Sequence, residues 1–342
     1  GAWLRGLAGR APGGVLVLDG GLATALEARR GGRAFEGALW SAGSLLTPAG
    51  RSAVAEVHAA YLRAGADVIT ACSYQASVAE LMRGGGLGRE EAEAALRGAV
   101  DLARRAVTEF CGDGTGVEGR AAAAGRVLRP LVAASVASYG AHLGGGAEYT
   151  GDYGGATCAD LVAFHRPQVA ALAAARPDLL AFETIPCLRE VEAVRELVEE
   201  GAAGGVPAWV SLSCRDSATT GGGDSVAACA RAITSCPSVA AVGVNCIPPR
   251  FVGGALKELV AGGAAEGRVL LAYPNRGEGW NSTQRSWREC EGVSDVEFAR
   301  HAAEWRAEHP EVPLMIGGCC RTTPRTIQCV AGALGRVSSM DL

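Results

Sequence analysis

The 342-residue chain has no C-x-x-C pair, no long hydrophobic run and no cluster of basic residues. It also lacks a nucleophile elbow, a phosphate loop and any Ser/His/Asp set. Each absence excludes something. A bilayer span needs roughly 18–20 apolar residues in a row, and none is present, so no membrane association is expected. With a formal charge of −4 and no face-wide grouping of Lys and Arg, nucleic acid is a poor partner as well. Without C-x-x-C, thioredoxin-like chemistry and ribbon-type zinc sites lose their signature. The five histidines, His58, His142, His165, His301 and His309, show no paired ligand spacing, and all but His142 fall in helix candidates. Gly114, Gly116 and Gly119 match a dinucleotide-binding pattern, but they follow no strand and open no helix, which makes them loop. The sequon at Asn281 has no bearing on a protein that stays in the cytosol.

Hydrophobic residues make up 49% of the chain, which also has 49 Gly and 12 Cys. The length is ample to bury a core without disulfide staples. Cys72, Cys214, Cys246 and Cys319 lie in or at the ends of apolar runs, where buried free thiols are common. A reducing, cytoplasmic setting follows. Residues 1–14 hold Arg5 and Arg10 and no acid, a composition with some transit-peptide character, whereas the run at 15–18 is too short for a signal-peptide core. The first residue is not Met, so the true start is expected upstream.

Eight short apolar runs punctuate the chain, at 15–18, 67–71, 131–136, 178–182, 208–212, 240–244, 269–273 and 313–316. Their near-continuous Val, Leu, Ile and Ala content fits strands buried on both faces of a parallel sheet. Helical patterns separate them, at 48–63, 89–110, 160–175, 188–200, 225–234, 249–261, 295–308 and 324–332. Eight alternating units predict an α/β fold of the (β/α)8 TIM-barrel type, a single domain over 1–342, rather than an open doubly wound sheet. Two stretches interrupt the pattern. Residues 111–126 are rich in Gly and Ala and read as a flexible insert; residues 276–293, with Trp280 and Trp287, are long enough to form a lid.

A barrel of this type carries its chemistry at the C-terminal ends of its strands. The eight runs end in Asp19–Gly20–Gly21, Ser73–Tyr74, Ser138–Tyr139, Glu183–Thr184, Ser213–Cys214, Asn245–Cys246, Pro274–Asn275 and Gly318–Cys319–Cys320. Acids, amides and thiols at the ends of apolar runs are more than packing requires. Adjacent strand residues face opposite ways, so Cys319 and Cys320 can share one ion only if the backbone turns. Gly317 and Gly318 allow that turn. The cysteines are then either buried or redox-active thiols, or, with Cys246, three metal ligands that leave a fourth position open. Asp19 either caps the helix that follows or faces a ligand, with Gly20 and Gly21 admitting close approach. Glu183 is either an acid paired inside the barrel or a carboxylate for a ligand ammonium.

The motifs LDGGLATALEARR (18–30), LWSA (39–42), HAAYLRAGADVITACSYQAS (58–77), VAASVASYGAHL (132–143), EYTGDYG (148–154), DLLAFETIP (178–186), GVNCIPP (243–249), YPNRGEGW (273–280) and IGGCCRTTP (316–324) occur in collinear order. With them the chain resembles the zinc-dependent homocysteine S-methyltransferases, and among these the plant-type enzymes that use S-methylmethionine. The resemblance implies Zn²⁺ held by Cys246, Cys319 and Cys320. It also implies an amino-acid subsite at Asp19, Gly20 and Glu183, with Asn245 orienting ligand or loop. Betaine-using relatives carry tyrosine where Gln75 stands here, which favours a sulfonium donor, S-methylmethionine or S-adenosylmethionine. The implied reaction gives methionine from homocysteine taken up as thiolate, with no general acid or base. Trp280 and Trp287 either cover the sulfonium or pack the lid. Two competing readings remain: a selenocysteine methyltransferase, and a thiol-rich metal-storage or redox-sensing protein. Partners are small molecules, and the assembly is expected to be a monomer or a small homo-oligomer.

Overall fold

The computed structural model describes residues 2–32, 35, 37, 39–112, 129–278, 280, 281, 286, 287 and 292–336. Eight parallel strands form one sheet: β1 (Val15–Val17), β2 (Val68–Thr70), β3 (Leu131–Ala137), β4 (Leu179–Ile185), β5 (Ala208–Leu212), β6 (Val239–Asn245), β7 (Val269–Tyr273) and β10 (Leu314–Ile316); β8 (Trp280–Asn281) and β9 (Ser286–Trp287) pair separately. Each pairs with its sequence neighbour among them, from β2 round to β10 and on to β1. The remaining seam, β1 to β2, is joined by a parallel bridge between Leu18 and Val68. There Asp67 N–H donates to the Val17 carbonyl at 2.7 Å and Asp19 N–H to that of Val68 at 3.0 Å. The sheet is thus a nearly closed barrel with helices between its strands, as the count of eight runs predicts.

The helices start where local chemistry favours them. Thr47 caps the helix Pro48–Arg63 by accepting from Gly50 N–H, and Pro48 occupies the first turn, where its missing N–H costs nothing. Ser294 and Glu297 form a reciprocal capping box at the start of Asp295–Glu308. Helix Arg89–Cys111 carries Glu90 and Glu91 in its first turn, where the dipole favours anions. Most of the insert expected at 111–126 lies outside the described residues; Cys111 itself is the last residue of that helix.

The two ends of the barrel differ in kind. At the N-terminal end, the interior is apolar: Leu16, Leu179, Trp209, Leu271 and Met315 pack as one cluster. Helix α1 (Ala2–Arg10) covers that end, burying Leu4 and Ala8 against the same cluster. Arg5 anchors it by donating to the carbonyls of Ala265 and Arg268, at 3.0 and 2.8 Å. The segment with transit-peptide character is therefore built into the fold. Its sparse apolar residues, too few for a strand or a signal core, suffice for one buried helix face. Beside it the buried pair Arg336–Asp67, at 2.5 Å, ties the chain after the last helix to the start of β2.

Toward the C-terminal end, the strands turn polar on the inside. Thr70, Ser135, Glu183, Ser211 and Tyr273 are joined to one another or to Asp19 by hydrogen bonds, and Asn245 is bonded to Thr184. Among the described residues no helix is long and apolar enough to cross a membrane.

Candidate active site

Three sulfurs converge at the polar end. Cys246 follows directly on β6, and Cys319 and Cys320 lie in the turn after β10. All three Sγ atoms fall within 4.8 Å of one another. Cys320 Sγ stands 3.5 Å from Cys246 Sγ and 4.0 Å from Cys319 Sγ. Tetrahedral thiolates on one ion about 2.3 Å from each sulfur would sit ~3.8 Å apart, between these two values. The third pair, Cys246 and Cys319, is joined as a disulfide, with Cα atoms 5.5 Å apart. Of the three thiols expected free, only Cys320 is so, and the bond must be reduced before all three sulfurs can ligate one ion. Burial, with Glu148 nearby, pushes the Cys320 thiol up to about 12. A cation is the natural means of keeping such a thiol ionised.

The turn that aims these cysteines depends on backbone the sequence only half revealed. Gly317 and Gly318 do not supply a left-handed turn; they allow close packing. A Cβ on Gly317 would lie 2.5 Å from Leu18 Cβ, and one on Gly318 would lie 2.4 Å from Thr322 Oγ1. Likewise, a Cβ on Gly20 would meet Thr322 Oγ1 at 2.7 Å, and Gly21 abuts the Cys319 carbonyl. The adjoining ends of β1 and β10 are thus locked together. Gly20 and Gly21 fit against protein, where the sequence suggested room for a ligand. The left-handed residues are instead Thr184, Cys246 and Arg321, with φ of 63°, 51° and 67°. All three flank or belong to the thiol and carboxylate cluster, where strain is typically held by surrounding contacts.

Asn245 is the principal such contact. Its Oδ1 accepts from Thr184 N–H at 2.8 Å, and its Nδ2 donates to Thr184 Oγ1 at 2.8 Å. Nδ2 also points toward Cys319 Sγ at 4.0 Å. Asn275 Nδ2 donates to the Cys246 carbonyl at 3.3 Å, and Cys319 N–H to that of Pro274 at 2.8 Å. The C-terminal ends of β4 and β6 and the residues just after β6, β7 and β10 therefore form one connected rim.

Two carboxylates lie below it. Asp19 does not cap the next helix, Leu22–Arg29, whose N-cap is Gly21. It reaches across to β2 and accepts from Thr70 N–H at 2.7 Å and Thr70 Oγ1 at 2.5 Å. Glu183 lies within β4 rather than after it, at an inward position. It accepts from Ser135 Oγ and, at 2.9 Å, from Tyr273 OH. Tyr273 is held in turn by Ser211 Oγ at 2.5 Å and Trp209 Nε1 at 3.1 Å. Burial pushes both acids up to about 7, and for Asp19 the charge of Glu183 adds to the rise. No basic side chain is bonded to either among the described residues. Two such carboxylates suit a ligand that brings its own cation.

Sequence reasoning placed Asp19, Glu183, Asn245 and the cysteines, all of which the fold brings to one end of the barrel. It missed Thr70, Ser135, Tyr273 and Tyr61. Strand parity is the signal that would have found Tyr273: Val269, Leu271 and Tyr273 share a face, so its hydroxyl must point inward. Tyr61 OH donates to the Gly21 carbonyl at 3.1 Å and is invisible without the tertiary fold. In the expected lid, Val293 N–H donates to the Arg276 carbonyl at 2.8 Å, closing the base of the excursion. Trp280–Asn281 pairs antiparallel with Ser286–Trp287. The indoles of Trp280 and Trp287 lie outside the described residues.

A (β/α)8 barrel with three convergent cysteines and two buried acids at its strand ends defines a class: barrels whose thiols could hold a metal ion beside acids that suit a cationic ligand. The particular family follows from comparison. The sequence pattern of the homocysteine S-methyltransferases matches residues 16–334, and the chain belongs to that family. It is 40% identical to homocysteine S-methyltransferase 4 of Zea mays, over 99% of this chain and 94% of that protein. It is 39% identical to the selenocysteine Se-methyltransferase of Brassica oleracea var. italica, over 93% of this chain and 88% of that one. Among solved structures, it resembles the metallated form of the homocysteine methyltransferase MmuM from Escherichia coli. That match has a TM-score of 0.77 and 34% identity over 96% of this chain and 99% of the other. The Escherichia coli protein is also known in an oxidized form. Membership in the family sets aside a storage or redox-sensing role.

Proposed function

We propose that this protein transfers a methyl group from a sulfonium donor, S-methylmethionine in preference to S-adenosylmethionine, to homocysteine, giving methionine. The observation that carries the reading is the placement of three sulfurs within 4.8 Å at the same barrel end as two buried, cation-free carboxylates. In this reading Cys246, Cys319 and Cys320, reduced, would hold Zn²⁺. A bound zinc would supply a Lewis acid that keeps the acceptor sulfur ionised at neutral pH.

The protein's own residues do the rest. Asp19 and Glu183 hold the homocysteine ammonium, with Thr70, Ser135 and Tyr273 fixing their orientation. Gly20 keeps the β1 end close enough to Thr322 and Tyr61 for Asp19 to reach inward. Asn245 keeps Cys246 and Thr184 in their left-handed conformations. The acceptor sulfur attacks the donor methyl in line; the old carbon–sulfur bond breaks, and its electron pair stays on the donor sulfur. The donor leaves as a neutral thioether, so no proton moves at the carbon and neither a general acid nor a base is needed. Opposite charges that neutralise one another in a dry site favour the step. Gln75, which shares a small crevice with Ala137, His142 and Phe164, supports a donor other than betaine. Residues 1–342 are read as one domain that works in the cytoplasm as a monomer or small homo-oligomer.

Selenocysteine is the second acceptor to test, given the 39% identity to a selenocysteine methyltransferase. Initial rates with each of the two donors against homocysteine and selenocysteine decide among these. The expected result is the highest kcat/KM for S-methylmethionine with homocysteine. A higher value for selenocysteine would transfer the assignment, and no turnover with either donor would refute it.

A further inference from the structure

One acid at the same end of the barrel has no role in the scheme above. Glu148 sits in a short helix, Ala147–Thr150, in the long connection after β3. Its Oε2 is buried and has no hydrogen-bond partner. Burial raises its pKa, and it is the foremost charge acting on the Cys320 thiol. It also acts on the phenols of Tyr74 and Tyr149, both of which feel Cys320 as well. Glu148, Tyr74 and Tyr149 thus share one electrostatic neighbourhood with Cys320, at the barrel end where Ser213, just past β5, holds the Glu148 backbone.

The position of Glu148 is closely specified. Its backbone carbonyl accepts from Ser213 Oγ at 2.6 Å. A Cβ on Gly140 would lie 2.4 Å from the Glu148 nitrogen, and one on Gly221 would lie 2.4 Å from the Tyr149 carbonyl. The connection is also pinned by Glu190, which accepts from Tyr139 N–H at 2.6 Å and Tyr153 OH at 2.5 Å and meets His165 Nε2 at 2.8 Å. The backbone here is held firmly, and a buried carboxylate oxygen without a partner is destabilising unless a proton or a cationic ligand completes it.

We propose that Glu148 is a specificity residue for the methyl donor: it accepts a hydrogen bond from the donor's α-ammonium, with Tyr74 and Tyr149 flanking the sulfonium. This rests on the methyl-transfer function proposed above. Asp19 and Glu183 serve the acceptor ammonium, and Glu148 is a further acid with an unpartnered buried oxygen whose charge acts on Cys320. The phenol rings offer the aromatic surface a sulfonium prefers.

The test compares S-methylmethionine with its des-amino analogue, 4-(dimethylsulfonio)butanoate, in the zinc-loaded wild type and in Glu148→Gln. Wild type is expected to favour S-methylmethionine at least tenfold in kcat/KM. Glu148→Gln is expected to raise the KM for S-methylmethionine at least tenfold, leave the KM for homocysteine within twofold and abolish the discrimination. Equal use of both donors by wild type would overturn the proposal without any variant. So would an unchanged donor KM in Glu148→Gln, or a rise confined to homocysteine. Absence of turnover in wild type with any donor would sink the parent reading instead.

Discussion

The two ends of this barrel are made from the same eight strands and obey opposite rules. At the end covered by α1, Leu16, Leu179, Leu271 and Met315 pack in an apolar cluster, and Arg5 and Arg268 direct their hydrogen bonds to backbone carbonyls. At the other end, acids are buried without a basic partner, residues adopt left-handed φ, and sulfurs crowd together. The first arrangement is at its best with nothing bound. On the function proposed above, the second becomes favourable when a metal ion and a cationic amino acid bind. Stability and function are therefore divided along the strand direction, and substitutions at the two ends should separate them.

The sharpest break is expected at the thiols. Cys319→Ser should abolish stoichiometric zinc and turnover while leaving the far-ultraviolet circular dichroism unchanged, because the cysteine sits past the end of β10. Metal analysis alongside the assay checks this; a variant that keeps one zinc and full activity would remove Cys319 from the site.

A smaller but two-sided effect is expected at Asp19. Burial raises its pKa from 3.8 to about 7 in the folded, ligand-free protein, so the folded state binds a proton more tightly than the unfolded one. The stability it contributes is complete below about pH 4 and is lost as pH rises toward 7. Asp19→Asn should therefore melt at a higher temperature than wild type at pH 8 and lose that advantage near pH 4. The same variant should raise the KM for homocysteine by about ten- to a hundredfold, the usual cost of losing a charged hydrogen bond. Melting curves at the two pH values test the first half, and steady-state kinetics test the second.

The mirror-image experiment uses the closed end. Leu4→Ala should destabilise by about 2–3 kcal/mol, through a cavity under α1, with both KM values within twofold of wild type. Denaturant titration measures it. A shift in KM comparable to that of Asp19→Asn would show that the ends are coupled rather than divided.

How much of this was legible beforehand follows the same division. Runs such as 208–212 and 269–273 fall on β5 and β7 without error, because strands buried on both faces must be continuously apolar. The run expected to end at 182 instead continues as β4 to Ile185. Apolarity stops where the strand turns toward a ligand, so the pattern that detects strands fails at the site itself. Asp19 and the cysteines stood out as polar residues behind apolar runs. Their partners did not: Thr70 and Ser135 look like ordinary strand residues, and whether Asp19 caps a helix or crosses to β2 is decided by tertiary geometry. The helix at the start of the chain was missed for the reverse reason. Its two buried residues, Leu4 and Ala8, leave too faint a periodicity to distinguish it from a processed leader.

Trp209 joins the two regimes. Its ring belongs to the apolar interior, yet its indole N–H donates at 3.1 Å to Tyr273 OH, which donates at 2.9 Å to Glu183. A change in the charge or occupancy of that carboxylate reaches a fluorophore shielded from solvent through just two hydrogen bonds. Among the chain's six tryptophans, Trp209 is therefore wired to the carboxylate that the proposed function assigns to the ligand ammonium.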